Sequence, residues 1–222
     1  MNTPLDNPTT RISVEVNGSL LTRDVECRKH LVDFLREDCG LKGSHLGCEH
    51  GVCGACTVRL DGRIVRGCLV LAAQASGHRV ETVETPTPSP RLRALQDAFV
   101  EFNALQCGFC TPGMLMAALE LVERKPDADR EQVRQWMSGN YCRCTGYHAI
   151  VDAVCAVLEQ QRAGRLPQAR PQAAWPPPPE GDEQSGQATF AHERPQGRAA
   201  PSPPPEGNEQ SGQATFAHEV QP

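Results

Sequence analysis

Eight of the eleven cysteines fall into two sets whose spacing suits metal chemistry. Cys48, Cys53, Cys56 and Cys68 follow C-x4-C-x2-C-x11-C. The first three have the loop spacing with which thiolates enclose a 2Fe–2S cluster. Gly43, Gly47, Gly51 and Gly54 frame the same loop. A compact sulfide-bridged cluster needs backbone close by with amide hydrogens aimed at sulfur, and glycine permits the torsions this requires. Such hydrogen bonds favour the reduced, more negative cluster and so raise its potential. Structural zinc prefers shorter paired knuckles, which this loop does not resemble. The second set, Cys107, Cys110, Cys142 and Cys144, follows C-x2-C-x31-C-x-C. On spacing alone it suits zinc or a cluster, since paired cysteines serve both. Cys27, Cys39 and Cys155 are left over and read as small buried hydrophobes. His45, Glu49 and His50 flank the first set, where loop polarity or an inter-subunit contact explains them as well as catalysis does.

These residues need elements to position them. Ile12, Val14 and Val16 alternate with polar neighbours, and Asn17-Gly18 turns the chain into Leu20–Val25, a hairpin signal. Leu31, Phe34 and Leu35 share one helical face, with Gly40 at the helix end. Thr57–Leu60, Asp61-Gly62 and Arg63–Val65 predict a second hairpin, and His78–Val83 one more strand. Pro86, Pro88 and Pro90 mark a connector. Beyond it the chain reads as helical. Leu92–Phe102 is periodic, Thr111-Pro112 is a helix start with threonine as cap, Asp129 and Gln132 suggest a capping box, and Ile150–Leu158 is amphipathic. Each pair of the second thiol set lies where one predicted helix ends or the next begins. The reading is a small β-rich domain followed by a four-helix domain.

Composition limits the function. The chain has 222 residues, a formal net charge of −5 and 5% aromatic residues. Nothing in that balance supplies the basic footprint of a nucleic-acid binder. No stretch approaches the roughly 18 apolar residues of a membrane span, and the polar start lacks a signal peptide's apolar core, so a cytoplasmic location is expected. An odd cysteine count in a reducing compartment argues for metal ligation over a disulfide framework. Near residue 163 the composition shifts: twelve of the nineteen prolines follow, and the only aliphatic residues larger than alanine are Leu166 and Val220. A disordered tail is expected there. It carries a duplication, Pro177–Glu193 recurring as Pro203–Glu219 with Asp182 replaced by Asn208. The repeat is a duplicated linker or a bivalent docking peptide for an unknown partner, anchored by Phe190 and Phe216. The expected organisation is a cluster domain over 10–85, a helical domain over 90–162 and the tail over 163–222.

Three runs together carry a family resemblance. Gly47–Val58 (GCEHGVCGACTV), Gln106–Met114 (QCGFCTPGM) and Cys142–Tyr147 (CRCTGY) closely resemble the iron–sulfur subunit of the molybdenum hydroxylases, the xanthine oxidase and aldehyde oxidoreductase family. The resemblance spans about Arg11 to Gln161 and leaves the tail aside. It implies an α+β fold, a plant-ferredoxin-like β-grasp domain followed by an all-α four-helix bundle, each holding one 2Fe–2S cluster. Cys48, Cys53, Cys56 and Cys68 would bind the cluster facing a medium, FAD-binding subunit. Cys107, Cys110, Cys142 and Cys144 would bind a buried cluster nearer the molybdopterin of a large subunit. Gln106 matches a glutamine that contacts the pterin, its bland alternative being a satisfied buried amide, and Cys144 matches a ligand whose surroundings approach the pterin. The implied function is single-electron relay from molybdopterin to flavin within an oxidoreductase, with no substrate or acid–base residue on this chain. Two alternatives stand beside it: the same relay in a flavin-free assembly donating to a cytochrome or other carrier, and a zinc-stabilised binding module. The interval Glu49–Val52 looks more like members oxidising aldehydes, purines, N-heterocycles or acyl-CoA thioesters than like carbon monoxide dehydrogenases.

Overall fold

The computed structural model of the chain describes residues 7–166. The expectations for the proline-rich segment beyond residue 166, including its repeat and docking role, lie outside these residues.

Two hairpins and a return strand build a five-stranded mixed sheet. β1 (Thr9–Val16) pairs antiparallel with β2 (Ser19–Glu26), and β3 (Thr57–Leu60) with β4 (Arg63–Arg66). Both two-residue turns sit in the left-handed region, Asn17-Gly18 at φ 51° and 84° and Asp61-Gly62 at 49° and 77°, the torsions that match strand twist. β5 (Arg79–Glu81) lies between the hairpins, parallel to β1 and antiparallel to β3, giving the order β2-β1-β5-β3-β4. β5 is shorter than the stretch His78–Val83 suggests because its flanks are engaged elsewhere. His78 pairs with Asp61 at 2.6 Å, and the Thr82 amide donates to Asn17 Oδ1 at 2.8 Å. Ile12, Val14 and Val16 turn inward with Leu31, Phe34 and Leu35 to form the core beneath the sheet. The helix bearing those last residues, α1 (Leu31–Asp33), widens into a π turn over Phe34–Asp38 before Gly40 ends it at φ 71°. Periodicity alone predicts a plain helix there. The Cys39 amide bonding back to Phe34 O at 3.1 Å produces the wider turn.

Four helices follow: α2 (Pro90–Glu101), α3 (Thr111–Arg124), α4 (Arg130–Met137) and α5 (His148–Arg162). Leu95, Phe99, Met114, Leu121, Met137, Ile150 and Leu158 close over one shared core, each contributing about 1.5–3 kcal/mol by its burial. Asp129 and Gln132 form the expected capping box at α4. One cap was not anticipated and one differs from expectation. Ser89 caps α2, accepting from the Leu92 amide at 3.2 Å. Thr111 is the first residue of α3 and not its cap; Cys110 holds the cap position without a side-chain bond. The Thr111 amide bonds Gly108 O at 3.2 Å, so the cysteine turn runs straight into the helix. At the far end of α5, Gly164 turns at φ 67° and Leu166 packs on the helical core. No helix among the described residues is long and apolar enough to cross a membrane.

Candidate metal centres

Three thiols of the first set sit on the loop between the π turn and β3, and Cys68 sits on a 3-10 turn (Gly67–Leu69) after β4. The Cys53 amide donates to Cys48 Sγ at 3.3 Å. That amide, with those of His50 and Val52, pulls the Cys48 thiol down to about 6. Cys56 and Cys68 are buried side by side, and burial pushes Cys56 up to about 11. The set thus divides into two close pairs, Cys48 with Cys53 and Cys56 with Cys68. Gly43 does not join this cradle, because its amide donates to the Glu84 carboxylate at 2.7 Å. The flanking residues have structural partners. His45 stacks on Phe109 with ring centroids 4.7 Å apart and its Nδ1 lies 2.7 Å from Phe109 O, while His50 Nδ1 contacts Cys48 O.

The second set is assembled from two turns. Cys107 and Cys110 lead into α3, and Cys142 and Cys144 lie between α4 and α5. Cys144 and Cys107 bring their sulfurs to 3.6 Å. Burial, and then the neighbouring Cys142, raise the Cys110 thiol to about 12. At Cys142 burial acts upward but is outweighed by the Thr145 hydroxyl at 3.1 Å and amide at 3.5 Å, so its thiol is lowered. Tyr147, held at φ 68°, braces the turn: its hydroxyl accepts from the Cys142 amide at 2.9 Å and donates to Asn140 O at 3.1 Å. Cys107 and Cys144 are exposed on this chain, and so is Gln106. A buried cluster and a buried amide are therefore not what the chain alone provides at this end. Of the remaining cysteines, Cys39 and Cys155 pack half-buried against the two cores, and Cys27 is half-buried without joining either.

Backbone contacts join the two sets. The Tyr141 amide, one residue before Cys142, donates to Cys53 O at 2.8 Å. Asn140 Nδ2 donates to Gly54 O at 3.0 Å. Gly54 turns at φ 77°, and a Cβ on Gly113 of α3 would lie 2.2 Å from its carbonyl oxygen. Only glycine at 113 allows that approach. Asn140 and Tyr141 carry no local sequence signal for these roles. Thr145 and Tyr147 lie inside the CRCTGY run and could have been singled out there.

The donors fit a two-iron cluster. Each set offers four sulfurs in two pairs, with main-chain N–H groups at Cys48 and Cys142 to share the anionic charge. Two thiolates per iron suit that pairing.

Residues 14–81 match the family model of a 2Fe-2S iron-sulfur cluster binding domain, and residues 80–155 that of a [2Fe-2S] binding domain. The nicotine 6-hydroxylase small subunit of Paenarthrobacter nicotinovorans is 53% identical over 154 residues, covering 69% of this chain and 93% of its own. The chain belongs to the iron–sulfur subunit family of the molybdenum hydroxylases. Among solved structures, quinoline 2-oxidoreductase from Pseudomonas putida 86 aligns with a TM-score of 0.65 at 50% identity, covering 71% of this chain and 99% of that one. The aldehyde oxidoreductase of Desulfovibrio desulfuricans aligns with a TM-score of 0.64 at 39% identity, covering 69% of this chain but 17% of that one. As a molybdenum hydroxylase iron–sulfur subunit, the chain is an electron-transferring component of an oxidoreductase with two 2Fe–2S domains. The zinc alternative left open by the Cys107 spacing is not favoured, since both matched domains are of the 2Fe–2S kind.

Proposed function

We propose that this chain relays single electrons from a molybdopterin-bearing large subunit to a FAD-bearing medium subunit. Cys107, Cys110, Cys142 and Cys144 hold the cluster on the pterin side; Cys48, Cys53, Cys56 and Cys68 hold the cluster on the flavin side. The sheet with its π turn then reads as a ferredoxin-like β-grasp, and α2–α5 as a four-helix bundle. The observation that carries this reading is the Tyr141 amide on Cys53 O at 2.8 Å, which links a residue adjoining one thiol set to a member of the other. Bound clusters would supply one-electron carriers between a two-electron oxidation and a two-electron store. The chain's own contribution is to hold the two sets at fixed separation and to aim amides at their sulfurs.

Exposed apolar side chains occur beside both thiol sets, as expected of surfaces that partner subunits cover. Leu105, Phe109 and Tyr141, each within two residues of a thiol of the second set in sequence, are exposed, apolar surface of the sort that a partner covers. Gln106 stands beside it, where its amide can hydrogen-bond the pterin, and Cys144 approaches the same cofactor. Val52 and Leu69 are exposed at the other loop, on the flavin side. The relatives are named for nicotine, quinoline and aldehydes, so an N-heterocycle or aldehyde is the substrate class, bound on the large subunit. Free thiols suit assembly in the cytoplasm. Electron paramagnetic resonance of the dithionite-reduced complex tests the assignment. Two distinct signals integrating to two spins per chain are expected from the two matched domains. A single signal, or zinc at the Cys107 set, would overturn it.

A further inference from the structure

One cation lies between the two thiol sets. Arg66 ends β4, two residues before Cys68. Its Nε donates to Gly51 O at 3.3 Å, inside the Cys48 loop. Its Nη2 donates to Gly139 O at 2.5 Å and its Nη1 to Asn140 Oδ1 at 3.0 Å, in the turn leading to Cys142. Nη1 also bonds the Thr57 hydroxyl, at the start of β3. Asn140 is 2% exposed and passes the connection on, its Nδ2 donating to Gly54 O at 3.0 Å. A single planar fork is therefore bonded to both cluster loops, and its bonded partner closes the circuit between them. A lysine ammonium is a point charge and cannot reproduce that planar geometry. All of these partners are neutral, so no carboxylate among them offsets the guanidinium charge.

We infer that Arg66, acting with Asn140, is a positioning residue of the relay, fixing the separation of the two cluster loops and biasing both clusters toward their reduced states. The inference rests on the cluster assignment proposed above. Reduction adds one negative charge to a cluster, and a fixed positive charge in a partly desolvated setting stabilises that state. Passage of one electron from the Cys107 side to the Cys48 side oxidises one centre and reduces the other, with no bond made or proton moved. Held by the same fork, neither loop can drift without losing bonds to the other.

Two substitutions in the intact complex separate charge from geometry. Arg66→Met removes both. It is expected to shift both one-electron equilibria toward the oxidised form by about tenfold, or about 59 mV, and to weaken the low-temperature splitting from magnetic coupling between the reduced centres. Arg66→Lys keeps the charge and loses the fork, so midpoints stay close to wild type while the splitting weakens. Wild-type midpoints and splitting in Arg66→Met at full iron content would overturn the inference. If Arg66→Met loses iron, Arg66→Lys decides, and unchanged splitting there overturns it. A wild-type complex without two signals would instead overturn the cluster assignment.

Discussion

The Cys48 set rests on one glycine-rich loop and a short turn beside the sheet, and two of its thiols, Cys56 and Cys68, are buried. The Cys107 set joins two turns separated by 31 residues of chain, and two of its thiols, Cys107 and Cys144, are exposed. Both sets tune their sulfurs with main-chain amides, but the first has two thiols buried and its loop is also contacted by Phe109, Asn140 and Tyr141 of the helical half. The second leaves half its thiols exposed on this chain. The chain itself thus covers the two sets of thiols to different degrees.

The most drastic way to break the comparison is to remove one thiol from each set. Cys110→Ser should erase the second signal and stop transfer directly after molybdenum. Cys53→Ser should erase the first while substrate still reduces the Cys107 centre. Rapid mixing with substrate reads both, and a Cys48 centre filling at the normal rate in Cys110→Ser would reverse the order of the relay. Next in size is the ion pair that ties the halves. Arg59, 3% exposed on β3, reaches Glu123 of α3 at 2.8 Å. Burial, working against Arg59, holds the Glu123 carboxyl above its usual range. Arg59→Met leaves that acid without its partner and should cost about 3–5 kcal/mol in denaturant titrations.

A gentler contrast comes from chelation. In the free chain, iron at the exposed Cys107 set should leave about tenfold faster than iron at the Cys48 set, an order-of-magnitude expectation from access and the coupling of metal to fold. Iron release followed optically checks this, and equal rates in the free chain would remove the distinction. Smallest is Asp129→Ala, which breaks the α4 capping box and should lower stability by about 1 kcal/mol. Because α4 belongs to the helical half, calorimetry should register the loss while the Cys48 signal keeps its shape.

How much of this could be read in advance follows from the range of each interaction. The thiol sets, both hairpins and the Asp129 box depend on residues close in sequence, and their spacing announces them. The Ser89 cap and the π turn escaped because several local solutions suit the same pattern. Arg66 and Asn140 escaped for another reason: they are 74 positions apart, and no periodicity relates them. The exposure of Gln106, Cys107 and Cys144 was not legible because the cysteine spacing that marks a ligand set says nothing about how much of it the chain itself covers.

The contact between Gly113 and Gly54 bears on how the subunit works in time. With room for no methyl group between α3 and the Cys48 loop, the halves meet as a weld and not as a hinge. Tunnelling falls off exponentially with distance, so a weld gives one rate where a hinge would give a spread of rates gated by swinging. Transfer between the two centres should then be indifferent to solvent viscosity, and glycerol added to a rapid-mixing experiment should leave that step unchanged while it slows every step that depends on diffusion.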